Sequence, residues 1–363
     1  MSGAAGLDLA GVRADLPALG RLVYLNTGTA GPLLTPVRDA MTAALDADVS
    51  LGRASGRRYA RIGERLEETR TLLARLVGAD ADEIALTTGT VDGIARVLAA
   101  QRWSAGDRLL ITALEHPAVL DAARATAARH DVAVVVVAGE TPEQVRANLA
   151  RELTGGARLV VVSHVTFGAG SVLPIPRIVA AARRFGARVL VDGAQAVGAI
   201  AVDVRALGAD YYAFPGQKWL LGPEGVGALV VAGGSSIHTT SEFEPGTKSP
   251  VLWEGMLAAL RWRAGHGHQR LLDAVEAGAA QLRRDLARIQ RIEVVDPGAT
   301  AGLVAFRLPG IEPAGVAAAL GARRIATRDV AEIDAVRLSN APFTTDEDRR
   351  AAVTAIAELA AAR

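Results

Sequence analysis

Between residues 84 and 231 the chain alternates short apolar runs, rich in β-branched residues, with stretches of helical spacing. This alternation predicts a mainly parallel sheet that is covered by helices on both faces. The predicted strands begin at residue 84 and lie at 108–113, 132–137, 159–163, 189–191, 211–214 and 228–231. Open α/β sheets bind their ligands at the carboxyl ends of the strands, and the polar candidates of this chain follow those ends.

Lysine is rare in this chain, because only Lys218 and Lys248 of the 40 Lys and Arg residues are lysines. An amine can lose its proton and condense with an aldehyde, whereas a guanidinium stays charged. Lys218 comes after the predicted strand at 211–214, and Asp192 ends the strand before it. A lysine that forms a Schiff base and a carboxylate that keeps a pyridine nitrogen protonated suit pyridoxal 5′-phosphate (PLP). For either residue alone, a surface lysine or a turn aspartate is the simpler interpretation.

Two motifs carry a family resemblance: DGAQ at 192–195 and QKWLLGPEGVGAL at 217–229. Together they resemble the class V aminotransferase family of fold type I PLP-dependent enzymes. That family includes cysteine desulfurases, cystine C–S lyases and isopenicillin-epimerase-like proteins. The resemblance implies an α/β fold with a large PLP-binding domain and a smaller α+β C-terminal domain. We place an N-terminal arm at 1–20, the large domain at 21–250 and the small domain at 251–363.

The resemblance also assigns cofactor-binding residues. A strand, a Thr/Gly turn and a helix start present N–H groups and hydroxyls to a phosphate, although threonine is also an ordinary helix cap. Pro215 and Val91 stand where relatives often have hydroxyl residues, which predicts lighter phosphate binding than usual. The resemblance implies ring stacking and proton transfer for His116 and a hydrogen bond to the ring hydroxyl for Gln195. The residues expected to contact the cofactor are Thr88, Gly89, Thr90, Val91, His116, Asp192, Gln195, Gln217 and Lys218.

Substrate contacts are implied at five positions. Arg337, in VRLS, matches the arginine that clamps the substrate α-carboxylate in relatives, a task that suits a guanidinium fork. Arg328 is a second candidate, and Asn26 lies in a loop of small residues near the substrate. Phe167 stands where desulfurases commonly have asparagine. His164 either hydrogen-bonds within the site or supports its loop.

The segment FEPGT at 243–247 implies a homodimer. In the resembled family its Gly-Thr pair, Gly246 and Thr247 here, reaches across an interface to the phosphate of the partner subunit. The neighbouring Lys248 is interpreted as a solvent-exposed lysine, with a phosphate contact as the alternative.

The chain contains no cysteine. Disulfides, thiolate metal sites and a catalytic thiol are therefore excluded, and with them the persulfide mechanism of the desulfurases. A C–S β-lyase needs no thiol of its own. We therefore expect β-elimination from a cysteine-derived substrate, which yields pyruvate and ammonia. An aminotransferase or epimerase, including one of secondary metabolism, is the alternative; a PLP-fold protein that only binds is disfavoured by the presence of Lys218, Asp192 and His116.

Other functional classes lack support in the sequence. The formal net charge is +1 with no lysine-rich tract, so nucleic acid is not an expected partner. The glycine motifs of nucleotide-binding proteins, GxGxxG and GxxxxGK[ST], do not occur in the sequence. His266 and His268 lack nearby Cys or acidic residues that could complete a metal site. The longest uncharged run, 159–176, contains two prolines and predicts a strand and a loop, not a membrane span. We expect a cytoplasmic protein with an amino acid as its substrate.

Overall fold

The computed structural model describes residues 6–233, 243–295 and 301–362. Its strands are β1 (Val23–Tyr24), β2 (Ile84–Thr87), β3 (Arg108–Thr112), β4 (Ala133–Val137), β5 (Leu159–Ser163), β6 (Arg188–Asp192), β7 (Tyr211–Pro215), β8 (Gly227–Val231), β9 (Glu293–Val295), β10 (Leu303–Arg307), β11 (Ile325–Ala326), β12 (Arg328–Val330) and β13 (Ala335–Ser339). Its α-helices are α1 (Leu9–Ala14), α2 (Thr35–Leu51), α3 (Gly56–Val77), α4 (Thr90–Ala100), α5 (Pro117–His130), α6 (Pro142–Leu153), α7 (Ile175–Arg184), α8 (Val204–Leu207), α9 (Pro250–His266), α10 (His268–Leu286), α11 (Pro313–Ala322) and α12 (Asp346–Ala361).

The large sheet has seven strands in the order β2-β8-β7-β6-β5-β3-β4. The strands from β7 to β4 pair in parallel, and β8 runs antiparallel between β7 and β2. The predicted mainly parallel sheet is therefore confirmed. The carboxyl ends of β5, β6 and β7 meet at one edge, where Ser163 stands beside Asp192 in register.

Helices cover both faces of this sheet, as the alternating pattern predicts. Side chains of α4 and α5, such as Ile94 and Val119, pack on one face. Side chains of α3, α6 and α7, such as Leu73 and Val145, pack on the other. Because a strand points successive residues to opposite faces, β5 supplies Val161 to the first layer and Val160 to the second.

The C-terminal part forms a second, antiparallel sheet in the order β12-β13-β10-β9, with α10, α11 and α12 packed around its core. This is the smaller α+β unit that the resemblance implies. Near the amino end, β1 pairs in parallel with β11, so residues 23–24 join the C-terminal part although the predicted large domain begins at residue 21. The predicted domain limits stay predictions.

Local expectations differ from the structure at several elements. The apolar spacing predicts a helix from about residue 62, preceded by Arg58 and Tyr59, but α3 begins at Gly56 and contains both residues; at its start the Ser55 side chain accepts from the Arg58 amide. The strands β12 and β13 were not predicted, since their sequences carry arginine and aspartate among the apolar residues. No helix within the described residues is long and apolar enough to cross a membrane.

Candidate active site

A cavity of about 390 Å³ opens at the carboxyl edge of the large sheet. Ten of its lining residues are those predicted for the cofactor and for substrate: Thr88, Gly89, Thr90, Val91, His116, Phe167, Asp192, Gln195, Gln217 and Lys218. Asp92, Val119, Ser163, Val165, Ala194 and Pro215 complete the lining. The fold thus gathers in one place residues that are separated by more than a hundred positions in the sequence.

Lys218 and Asp192 form the charged centre of the cavity. Asp192 ends β6, is 5% exposed, and accepts a hydrogen bond of 2.8 Å from the Ala194 amide. Burial raises the pKa of this carboxyl group, while the Ala194 bond and the Lys218 charge oppose the rise. Burial lowers the pKa of Lys218 to about 8, against the attraction of Asp192. Near neutral pH, a measurable fraction of Lys218 is therefore the free amine that a nucleophile or base requires.

The turn between β2 and α4 has the features of an anion site. Gly89 caps α4 with φ 155°, and the hydroxyl of Thr90, the first helical residue, is buried and has no hydrogen-bond partner within the described chain. Thr88 donates its amide to the Asp92 carboxylate at 2.8 Å, and its side chain also hydrogen-bonds to that carboxylate. A helix amino end with an unpaired buried hydroxyl suits a phosphate.

His116 lies at the rim of the cavity, where it caps α5. Its Nδ1 accepts from the Ala118 amide at 3.2 Å, which assigns the ring proton to Nε2. The edge of its ring meets Phe167, with the ring centroids 5.2 Å apart. Burial lowers the pKa of His116, and the positive charge of Lys218 lowers it further, so the imidazole is neutral at neutral pH.

Gln195 is fixed by hydrogen bonds on both sides of its amide. Its Nε2 donates to the Gly28 carbonyl at 2.8 Å, and its Oε1 accepts from the Trp219 indole at 2.9 Å. One amide hydrogen and one oxygen lone pair stay available toward the cavity. The predicted contact with a ring hydroxyl is compatible with this arrangement and stays a prediction.

Arg337 lies beside the cavity on β13, 3% exposed. It donates to the Phe167 carbonyl and, at 3.1 Å, to the Thr29 hydroxyl, while its Nε has no partner within the described residues. Thr29 in turn donates to the Asn26 side chain at 2.7 Å, so Asn26 orients this arginine from outside the cavity lining. Burial and the nearby Arg328 lower the pKa of Arg337 to about 10.

Arg328 is exposed on β12, directly across the strand pair from Arg337. Like charges opposite each other on neighbouring strands repel and destabilise the pair unless an anion lies between them. The nearby Glu332 carboxylate opposes this repulsion at Arg337, since its charge acts to raise the pKa of that guanidinium.

His164 faces away from the cavity. Its Nδ1 lies 2.9 Å from the Tyr212 hydroxyl, its ring is buried, and burial lowers its pKa to about 4. Both interpretations of His164 stay open: the ring contacts Tyr212 and is absent from the cavity lining, and the predicted substrate contact stays a prediction.

The FEPGT segment lies outside the cavity lining. Gly246 and Thr247 are exposed, while Glu244 anchors the segment through Arg70 and the Leu86 amide. Lys248 is half-buried, not solvent-exposed as expected, and burial lowers its pKa.

Glu115 and Ser163 were missed by the sequence interpretation. The Glu115 carboxylate is 1% exposed and accepts from the Thr112 hydroxyl and from both the amide and the hydroxyl of Ser163. Burial and the charge of Asp192 raise the pKa of Glu115 to about 7. The only signal in the sequence is a carboxylate at a strand end next to His116, which does not reveal a partner 48 residues away.

A buried lysine and carboxylate beside an anion-binding turn, at the carboxyl edge of this sheet, define the class of α/β enzymes that use PLP. The sequence matches the profile of the family Aminotransferase class-V over residues 23–332. The chain therefore belongs to the class V aminotransferase family, and it is a PLP-dependent enzyme.

The chain is similar in sequence to proteins that are named cysteine desulfurases. A probable cysteine desulfurase of Methanothermobacter thermautotrophicus is 31% identical over 333 residues, which cover 84% of this chain and 83% of the relative. A cysteine desulfurase of Salmonella gallinarum is also 31% identical, with 82% of each chain covered.

Solved structures agree with this family. A variant of the enzyme C-DES with glycine covalently linked to its PLP cofactor superimposes with a TM-score of 0.89 at 28% identity, over 95% of this chain and 99% of that one. A complex of the cystine C–S lyase C-DES with its reaction product cysteine persulfide has a TM-score of 0.87 at 29% identity, over 94% and 99% of the two chains.

The residues of the cavity fit this cofactor. The buried, unpartnered Thr90 hydroxyl can donate to a phosphate, and the buried Asp192 carboxylate would gain a positive partner from a protonated ring nitrogen. Gln217 also lines the cavity, where its amide N–H groups can donate to a phosphate, whereas its buried oxygen, which has no partner in the described chain, can only accept.

Proposed function

We propose that this enzyme is a C–S β-lyase that acts on a cysteine-derived amino acid and releases pyruvate and ammonia. One observation carries the proposal: the chain keeps the lysine and carboxylate of a PLP site but contains no cysteine. A persulfide carried on the enzyme requires a thiol, whereas elimination expels the sulfur group directly. The structural similarity to the cystine C–S lyase C-DES supports the same reaction.

We propose that Lys218 carries the cofactor, that Asp192 pairs with its ring nitrogen and that Thr88, Gly89, Thr90, Val91 and Gln217 hold its phosphate. Bound PLP supplies an electron sink that acidifies the bonds at the α-carbon of an amino acid. With a pKa of about 8, the Lys218 amine can accept the α-proton near neutral pH. The neutral ring of His116 would stack on the cofactor and could hold a proton on Nε2, and Gln195 would donate to the ring hydroxyl.

We propose that Arg337 binds the α-carboxylate of the substrate and that Arg328 binds a second anionic group. Arg337 has a free Nε, and Arg328 adds a positive charge directly across the strand pair. Cystine has two carboxylates and therefore suits the pair better than cysteine does. Cleavage of one C–S bond leaves the bonding electrons on a persulfide group, and the three-carbon fragment is hydrolysed to pyruvate and ammonia.

The reaction is tested by adding cystine, cysteine and S-alkylcysteines to the PLP-loaded protein and measuring pyruvate. We expect pyruvate without any added keto acid, with cystine as the best substrate. Release of an amino acid of inverted configuration, or turnover only when a keto acid is supplied, would instead establish an epimerase or an aminotransferase.

The site is tested by replacing the two lysines of the chain in turn. Lys218→Ala should lower pyruvate release by roughly 10²- to 10⁴-fold or more, because it removes both the base and the attachment point. Lys248→Ala is the matched control, since its side chain lies outside the cavity lining, and it should keep the cofactor's visible absorption. Retention of activity and absorption by Lys218→Ala would refute the assignment.

A further inference from the structure

Arg263, on α9, is a buried cation without a carboxylate partner. It is 1% exposed, and no ion pair connects it to an acidic side chain in the described parts of the chain. Burial lowers its pKa to about 9. Because a buried unpaired charge is costly, a guanidinium at this position requires several hydrogen-bond acceptors.

Three neutral acceptors surround the Arg263 guanidinium. Its Nη2 donates to the Gly198 carbonyl at 2.8 Å, its Nη1 to the Trp219 carbonyl at 3.1 Å, and its Nε to His268 Nδ1 at 2.7 Å. Burial and the Arg263 charge lower the pKa of His268 to about 4, so its ring stays neutral and able to accept. The planar fork of the arginine is thus satisfied in three directions.

The two carbonyls belong to the two segments that build the cavity. Trp219 directly follows Lys218 in the sequence. Gly198 ends the segment 192–198, which contains Asp192 and Gln195. These segments touch: a Cβ on Gly198, which has φ 94°, would lie 2.9 Å from the Trp219 Cβ. The Trp219 indole also donates to Gln195 at 2.9 Å.

We infer that Arg263 is a positioning residue that fixes the segment carrying Lys218 against the segment carrying Asp192 and Gln195. It acts through the Trp219 and Gly198 carbonyls, from outside the cavity lining. The inference rests on the proposed roles of Lys218 and Asp192, and it is independent of which reaction the enzyme catalyses. A small displacement of catalytic groups by remote substitutions can change function by about two orders of magnitude.

The experiment compares Arg263→Met and Arg263→Lys with Arg108→Met in the holoenzyme. Arg108 is the control, because it also donates to two backbone carbonyls, those of Glu152 and Gly156, both at 2.8 Å, and lies outside the lining of the active-site cavity; unlike Arg263 it also pairs with a carboxylate, that of Glu152. The measurements are the PLP dissociation constant, the pH midpoint of the bound cofactor's visible absorption, and the Tm of the apo and holo forms.

We expect Arg263→Met to weaken PLP binding by roughly ten- to a hundredfold and to move the spectral midpoint. Arg263→Lys should recover part of the affinity, since an ammonium can still donate to the two carbonyls. Arg108→Met should lower the Tm but leave the PLP dissociation constant and the spectral midpoint unchanged. An Arg263→Met holoenzyme that loses only Tm, with an unchanged dissociation constant and midpoint, would overturn the inference.

If Arg263→Met does not fold, His268→Leu removes only the acceptor of Nε, and we expect a several-fold weaker PLP affinity. Unchanged affinity and midpoint in both His268→Leu and Arg263→Lys would count against the inference in the same way. A wild-type protein that binds PLP but releases no pyruvate would refute the proposed reaction alone. A wild-type protein that binds no PLP would refute both.

Discussion

At the scale of single residues, the least ordinary group is the Glu115 carboxylate. Glu115 and Asp192 are both buried, and both carboxyl groups have raised pKa values because burial disfavours their charged forms. The hydrogen bonds of Glu115 from Thr112 and Ser163 tie the end of β3 to the end of β5. The protonation state of Glu115 therefore affects the contact between the ends of β3 and β5 beside the cavity.

This carboxylate predicts a pH dependence of stability. The pKa of Glu115 is about 7 in the folded chain, against the ordinary value of 4.5, so the folded state binds the proton more tightly than the unfolded state does. This difference in pKa contributes about 3 kcal/mol to the free energy of unfolding. The contribution is fully present below pH 4.5 and is lost as the pH rises through 7.

Glu115→Gln should remove that dependence. We expect the free energy of unfolding, measured in urea at several pH values, to fall less between pH 4.5 and 7 in Glu115→Gln than in the wild type. Asp121→Asn, which changes an exposed carboxylate on α5, should leave the slope as it is. Parallel curves for wild type and Glu115→Gln would contradict the prediction.

At the scale of elements, the turn between β2 and α4 depends on its contact with β8. A Cβ added to Gly227 would lie 2.7 Å from the Gly89 Cα and 2.7 Å from the Phe214 carbonyl oxygen. Both neighbours are backbone atoms, which cannot rotate away as a flexible side chain can. The absence of a side chain at Gly227 thus lets β8 support the Thr88–Thr90 turn at close range.

Gly227→Ala should therefore push the turn out of place. We expect a loss of about 1–3 kcal/mol in the free energy of unfolding, as for other overpacked sites, together with weaker PLP binding. The control is Gly63→Ala, in the interior of α3, where the added Cβ would lie within 4 Å of no described atom beyond the local helix backbone; it should raise stability by up to about 1 kcal/mol. Undiminished stability and PLP affinity in Gly227→Ala would show that the turn can adapt.

At the scale of the whole molecule, two surfaces suit association of two chains. Gly246 and Thr247 are presented to solvent by a segment that Glu244 anchors. Apolar side chains are exposed along the second half of α2 and the start of α3, including Val49, which is 82% exposed, and Tyr59, which is 59% exposed. Contiguous exposed apolar surface marks interaction sites, and the homodimer that the FEPGT segment implies stays a prediction.

A subunit-mixing experiment tests the shared site. If Thr247 serves the partner's cavity, Lys218→Ala and Thr247→Ala are each impaired, but a mixed dimer contains one site with both residues intact. Random reassortment of equal amounts in a symmetric dimer restores about a quarter of the sites. We expect pyruvate release to rise when the two variants are unfolded and refolded together, relative to the same variants refolded apart. No rise, despite mixed dimers detected by mass spectrometry, would place Thr247 outside the partner's site.

Much of the fold and of the cavity could be predicted because the signals are local. Strand periodicity, a rare lysine and residues at strand ends are readable in short windows, and the fold brings Asp192 and Lys218 to one cavity as expected. Strands were missed where charged residues interrupt the apolar pattern, as in β12 and β13, and no sequence signal revealed the buried partner of His164, the Tyr212 hydroxyl.

By itself, the sequence determined the alternation of strands and helices, the family, the cofactor and the absence of a thiol, since each of these is a property of residue identity and spacing. Only the tertiary structure decided which buried groups meet. Glu115 and Ser163 are paired across 48 residues, Arg337 and Phe167 across 170, and Arg263 reaches two backbone carbonyls that no side-chain pattern encodes. The reason is that a buried hydrogen bond depends on strand order and helix packing, which bring distant segments within hydrogen-bonding distance without leaving a periodic pattern in the sequence.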